Sequence, residues 1–252
     1  MTTFERLIRI RHERGAGYLI LLDPDKIGDT DLPAFIRTAT EAGADGFLVG
    51  GSLMMTNQFE HALGIVKRNT TLPVLIFPGS LFQVSPLADA ILFLVLISGR
   101  NPEHLIGNQV LAAPIIRKMG LEAISTGYML VDSGKTTSAE FMSNTQPIPP
   151  HKPDIAVAHA LAAELIGMKC LYLDAGSGAD APVPEAMIQA VASRCGLPLF
   201  VGGGIRTPED AAARVRAGAS FVVTGTVHEE DGEARLIRAF AQAVHSTKLK
   251  TV

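Results

Sequence analysis

Between residues 199 and 226 an apolar strand runs straight into three glycines, Gly202, Gly203 and Gly204, and the pattern then repeats. An alanine-rich helical segment follows. A second apolar strand over 221–224 then ends at Gly225 and Thr226. Glycines let backbone N–H groups approach a ligand closely, and the N-terminus of a following helix adds partial positive charge. Two consecutive βα units that end this way suggest a phosphate clamp between the last two strands of a (β/α)8 barrel. Tight turns alone would use the same glycines, so the rest of the chain must decide.

Its 252 residues suit one such barrel, roughly 250 residues in size. A hydrophobic content of 47% with 19% charged residues indicates a compact domain. The net charge of −3 gives no general attraction to nucleic acid or to an anionic membrane. An anionic substrate must therefore be held by local donors or a metal. Cys170 and Cys195 are the only cysteines, which excludes a disulfide framework and fits a reducing compartment. The first 14 residues are too charged for a signal peptide. The longest apolar run, residues 90–97, falls far short of the roughly 20 needed to span a bilayer. A cytoplasmic protein is expected.

Continuous apolar runs, as in parallel strands buried on both faces, predict strands over 18–22, 46–49, 73–77, 90–97, 123–131, 169–173, 198–201 and 221–224. An amphipathic helix is expected over 2–13, and others over 32–42, 57–67, 103–119, 154–166, 184–194 and 232–245. Asp154 is read as a helix cap. Thr207 is read as another, with Pro208 in the first helical position and Asp210 three residues past the cap. Residues 133–153, with four prolines, read as an excursion over the barrel mouth. Eight strands alternating with helices in a single domain over 1–252 give an α/β fold, a (β/α)8 TIM barrel with an N-terminal helix. Polar and glycine residues after nearly every strand weigh against a doubly wound sheet.

Three groups at strand ends carry chemistry. Asp23-Pro24-Asp25-Lys26 follows strand one. Carboxylates there can hold Mg²⁺, which favours oxygen ligands and keeps waters and substrate phosphates; by itself the motif suits a polar turn slightly better. Ser52, after Gly50-Gly51, could add a hydroxyl to a metal or anion, though alone it reads as a turn serine. In strand six, alternation puts Tyr172 and Asp174 on one face, just before Gly176-Ser177-Gly178. A tyrosine beside a carboxylate suits a hydroxyl-bearing ligand, and the glycine–serine turn suits phosphate. A core tyrosine is the plainer alternative.

Taken in order, the Asp23 motif, Val49-Gly-Gly-Ser52, Phe77-Pro-Gly-Ser80, Ser98-Gly-Arg-Asn-Pro102, residues 172–178, Val201-Gly-Gly-Gly-Ile-Arg206 and Thr224-Gly-Thr226 resemble the geranylgeranylglyceryl phosphate synthase family, bacterial heptaprenylglyceryl phosphate synthases included. The resemblance covers nearly the whole chain. It implies a prenyltransferase that joins the primary hydroxyl of sn-glycerol 1-phosphate to a polyprenyl diphosphate and releases pyrophosphate. Geranylgeranyl diphosphate is the first choice of donor and heptaprenyl diphosphate the longer alternative. By the same resemblance Asp23 and Ser52 hold Mg²⁺. Tyr172, Leu173, Asp174, Ala175, Gly176, Ser177, Gly178, Gly203, Gly204, Gly225 and Thr226 bind glycerol phosphate. Asp174 would accept the hydroxyl proton, with Tyr172 shaping the site. The family usually has Glu at the Asp174 position, so its reach is shortened by one methylene. The resemblance also implies a homo-oligomer, and a lipid donor implies transient contact with a membrane surface.

The donor's tail needs an apolar groove, for which Phe77, Leu92, Phe93, Leu94 and the helix after Pro102 are candidates. The competing reading is another phosphate-binding barrel enzyme, a sugar-phosphate isomerase or aldolase. It would use the glycine turns equally well. It needs neither the Asp23 and Ser52 pair nor a long apolar groove.

Overall fold

The computed structural model describes residues 1–26, 32–225 and 234–246. Eight parallel strands follow one another round a closed barrel: β1 (Gly17–Leu22), β2 (Gly46–Val49), β3 (Val74–Ile76), β4 (Ala90–Leu96), β5 (Glu122–Leu130), β6 (Cys170–Asp174), β7 (Leu199–Gly202) and β8 (Phe221–Thr224). The ring is completed where Gly17, Tyr18, Leu19 and Ile20 pair in register with Phe221, Val222, Val223 and Thr224. The (β/α)8 barrel expected from the sequence is the fold observed.

Alternation along each strand sorts the side chains into two cores. Leu19, Leu48, Leu75, Leu92, Tyr172, Phe200 and Phe221 form the inner one. Ile20, Phe47, Leu173, Val201 and Val222 pack outward against the helices. Four rings cross the interior in a stack, with centroids 4.9 Å apart for Phe77 and Tyr172, 6.1 Å for Tyr172 and Phe200, and 4.4 Å for Phe200 and Phe221. Each such pair adds about 0.5–1.5 kcal/mol beyond simple burial. The stack makes a firm floor beneath the barrel mouth.

Among the described residues the α-helices are α1 (Thr3–Arg14), α2 (Leu32–Ala42), α3 (Phe59–Asn69), α4 (Asn108–Met119), α5 (Ser138–Ser143), α6 (Pro153–Ile166), α7 (Glu185–Ala192), α8 (Pro208–Ala217) and α9 (Ala234–His245). A capping box between Thr2 and Glu5 starts α1. Leu7 of this helix is wholly buried in the inner core. Glu122, at the start of β5, accepts the backbone N–H groups of Thr3 and Phe4 at 2.6 and 3.1 Å. A carboxylate at a helix N-terminus meets both the orphan donors and the positive end of the dipole. The helix therefore closes the end of the barrel opposite the mouth. Thr207 and Asp210 form the expected capping box of α8.

Two expectations need correction, and two others gain detail. Strands do not alternate with helices throughout, because residues 77–89 hold no helix. Pro78, Gly79 and Pro86 oppose one. Instead the Gln83 side chain ties the segment to the β2 turn, accepting from Gly51 and Gly79 N–H at 3.2 Å and donating to the Gly51 carbonyl at 2.8 Å. The helix expected from residue 103 begins as a π-helical turn, Glu103–Gly107, before α4 proper. Asp154 lies in the first turn of α6; Lys152 occupies the cap because Pro153 takes the first helical position. The excursion over 133–153 carries α5 and lines the cavity at the barrel mouth, as read from the sequence. Residues 232 and 233 of the last expected helix lie outside the described residues.

Candidate active site

The C-terminal ends of the strands surround a cavity of about 910 Å³. Asp23, Ser52, Tyr172, Asp174, Gly176, Ser177, Gly178, Gly203, Gly204 and Gly225 all line it. The sequence-derived site residues are thus brought together, with three exceptions. Leu173 and Ala175 are buried in the outer core, turned away by strand alternation, and the Ala175 N–H is already given to the Gly202 carbonyl at 3.1 Å. Both drop out as side-chain contacts to a ligand. Thr226 lies outside the described residues.

Asp174 is the buried anion of the site, only 7% exposed. One carboxylate oxygen accepts the Tyr128 hydroxyl at 2.6 Å and the other accepts the Gly176 N–H at 2.8 Å. Burial pushes its pKa above the usual carboxyl range, against the pull of these two donors. Tyr128 and Tyr172 are held well above the ordinary phenol value, first by burial and then by the neighbouring carboxylate, so both keep their protons. Tyr128 lies directly opposite Tyr172 in the β5–β6 ladder. The sequence reading missed it, although it shares its strand face with Thr126 and Leu130 and alternation could have placed it inward.

The glycine turns after β6 and β7 touch one another. Gly203 has φ +80°, and a Cβ there would lie 2.6 Å from Gly176 N and 2.7 Å from Asp174 Oδ1. Gly204, at φ +69°, would meet Ala181 and Pro182 in the same way. Only glycine combines this backbone with so close an approach.

Across the mouth, the Asp23 carboxylate lies against Gly51, accepts the Asp25 N–H at 3.2 Å and pairs with Lys26 at 3.2 Å. Asp25 is turned aside to the Thr56 hydroxyl and the Met55 N–H, which hold its carboxyl below the usual range. Among the described residues no three His, Cys, Asp or Glu side chains gather as a metal cage. A carboxylate and a hydroxyl, both hard oxygen donors, instead fit a cation such as Mg²⁺ that retains waters and substrate oxygens.

From this polar end the cavity continues into an apolar limb lined by Ile91, Phe93, Leu94, Ala112 and Ile116, with Leu81 and Val84. Phe93 belongs to the outer face of β4, which is reached because no helix precedes that strand. Phe77, Leu92, Phe93 and Leu94 line the cavity as expected, and His104 of the π-helical turn lines it beside them. Gln109 of α4 was not foreseen. It donates to the carbonyls of Leu94 at 2.5 Å and His104 at 3.1 Å, fastening the π-helical turn to β4.

Fold and site together define a (β/α)8 barrel enzyme with a buried carboxylate, paired glycine turns and an apolar groove in one cavity. The pattern of the PcrB family matches residues 8–244, and the chain belongs to that family, the geranylgeranylglyceryl phosphate synthases. It is 47% identical to the geranylgeranylglyceryl phosphate synthase of Chitinophaga pinensis over 91% of this chain and 90% of that one. With the enzyme of the same name from Korarchaeum cryptofilum it shares 43% identity, covering 94% and 98%. The crystal structure of (S)-3-O-geranylgeranylglyceryl phosphate synthase from Thermoplasma acidophilum, in complex with its substrate sn-glycerol-1-phosphate, superposes with a TM-score of 0.92. It is 33% identical and the match covers 98% and 99% of the two chains.

Proposed function

We propose that this enzyme forms an ether between the primary hydroxyl of sn-glycerol 1-phosphate and a polyprenyl diphosphate, releasing pyrophosphate. The observation that carries this reading is one cavity whose polar end holds Asp174 and two glycine turns and whose other limb is apolar. An isomerase or aldolase acting on small sugar phosphates has no use for that limb. The Thermoplasma relative bound to sn-glycerol-1-phosphate supports the acceptor. The relatives' names favour a geranylgeranyl donor, with heptaprenyl diphosphate as the longer alternative.

The turns at Gly176–Gly178 and Gly203–Gly204 hold the acceptor's phosphate, and Tyr172 bounds the glycerol. Asp174, raised by burial toward the working pH, accepts the hydroxyl proton as the oxygen meets the allylic carbon. Each of its oxygens has a second lone pair for that task. Asp23 and Ser52 would hold Mg²⁺, which supplies charge neutralisation for the departing diphosphate. The apolar limb over β4 receives the isoprenoid chain and keeps water from the reacting carbon. The exposed apolar side chains of Val110, Leu111 and Ile115 on α4, and of Leu165 and Ile166 on α6, support a homo-oligomer built on that side of the barrel. Among the described residues no helix is long and apolar enough to cross a membrane.

The test incubates purified enzyme and Mg²⁺ with labelled sn-glycerol 1-phosphate and polyprenyl diphosphates of increasing length. Label should pass into the organic phase with one preferred donor and stay in water when EDTA replaces Mg²⁺. No ether with any donor would overturn the reading. A second measurement addresses Asp174 through its neighbour. Tyr128→Phe removes a donor that holds the carboxyl pKa down. The ionised base then appears only at higher pH, and the acid limb of the kcat/KM profile should move upward in pH.

A further inference from the structure

Among the described residues, Lys26, Lys135 and Arg206 bring cationic side chains to the cavity. Two of them are committed to the loop after β6. Lys135 pairs with Asp180 at 3.0 Å, and Arg206 donates to the Ala179 carbonyl at 2.9 Å. Lys26 is placed differently. Its ammonium is 3.2 Å from Asp23 Oδ2 on the β1 side of the mouth and 3.5 Å from Ser177 Oγ on the β6 side, 151 residues further along the chain. It therefore joins a proposed ligand of the diphosphate's metal to the turn proposed for the acceptor's phosphate.

An exposed ion pair between residues i and i+3 contributes little to stability, and the Lys26 side chain is 46% exposed. The contact across the mouth places its ammonium between the two halves of the site, where ligand charge can be met. The two substrates together bring a phosphate and a diphosphate into a protein of net charge −3. The acceptor's hydroxyl must meet the carbon that bears the diphosphate, so both anions bind within the one cavity that Lys26 lines. A lysine supplies three donors on a compact, rotatable head, enough to contact both anions at once. Resting on the functional reading above, we propose that Lys26 is a shared anchor that binds the acceptor's phosphate and the donor's diphosphate simultaneously.

The experiment measures binding apart from turnover. Dissociation constants for sn-glycerol 1-phosphate and for inorganic pyrophosphate are determined by calorimetry, with Mg²⁺ and with EDTA, on wild type, Lys26→Met and Lys26→Arg. A charge-assisted hydrogen bond of ordinary strength corresponds to about a tenfold change. Lys26→Met should weaken both ligands by about tenfold, and Lys26→Arg should recover most of each loss, with all three proteins melting alike. Weakening of one ligand alone would confine Lys26 to one subsite and overturn the shared role. Unchanged affinities for both would reduce it to a surface ion pair. Wild-type protein that binds neither ligand would overturn the functional reading itself and the anchor with it.

Discussion

Replacing Asp174 by Asn should leave a folded protein whose turnover has fallen by about 10²–10⁴-fold, the span of a lost general base. The substitution suits the site's hydrogen bonding. The Asn Oδ1 can accept from Gly176 N–H, as one carboxylate oxygen does now, while its amide donates to a Tyr128 hydroxyl rotated to accept. Only the charge is removed. Burial raises the Asp174 pKa from an ordinary 3.8. The native state thus binds a proton more tightly than the unfolded chain does, and the associated stability is full below 3.8 and lost as pH rises through the native value. An asparagine never ionises and escapes that loss. Thermal melts should show the two proteins moving apart with rising pH, the Asp174→Asn variant gaining relative to wild type while its activity stays low. A stable variant that still turns over near the wild-type rate would remove Asp174 from the chemistry. Lower activity together with higher stability is the pattern expected where a site holds a charge for function.

Where local sequence and tertiary demand agree, the fold is legible. The apolar run at 221–224, bounded by Ser220 and Gly225, could be little else than a buried strand, and α2 between Leu32 and the Gly43 turn has its punctuation in place. The mouth was legible for the same reason, since glycines at φ +80° and +69° leave no other residue as comfortable. Other features depend on partners remote in sequence. Nothing around Lys26 says that its side chain reaches Ser177. The π-helical turn at Glu103–Gly107 is held by Gln109 and a β4 carbonyl, and neither contact has a local signature. Asp154 is a failure of another kind. Its cap preference is real, but Pro153 takes the first helical position and moves the cap two residues earlier, to Lys152, and Pro at that position should have outweighed it. The segment over 77–89 shows how an architectural rule can mislead. Counting βα units filled in a helix that its prolines and Gly79 oppose, and the groove beside β4 exists because that helix is missing.

Gly203→Ala should abolish high-affinity acceptor binding and lower the melting temperature, whereas Gly178→Ala should do much less of both. Both glycines have left-handed backbones, φ +80° and +67°, and for an L residue this alone costs about 1–2 kcal/mol. Their surroundings differ. A methyl at Gly178 meets no heavy atom within 4 Å. At Gly203 it would stand 2.6–2.8 Å from Gly176 N, Ala175 N and Asp174 Oδ1. Two of these are backbone atoms, and the third belongs to a carboxylate held by Tyr128 and Gly176. None is the free end of a flexible side chain. The methyl must therefore push the β6 and β7 turns apart, taking the phosphate clamp and the proposed base with them. Calorimetric titration with sn-glycerol 1-phosphate and thermal melts on the two variants separate these effects. Gly178→Ala should lose stability by little more than the backbone cost and still bind. Gly203→Ala should lose more stability and bind at least about a hundredfold more weakly, some 2.7 kcal/mol. Equal affinities in the two variants would mean that contact between the turns is incidental to binding, and that the clamp does not depend on the packing of Gly203 against Asp174.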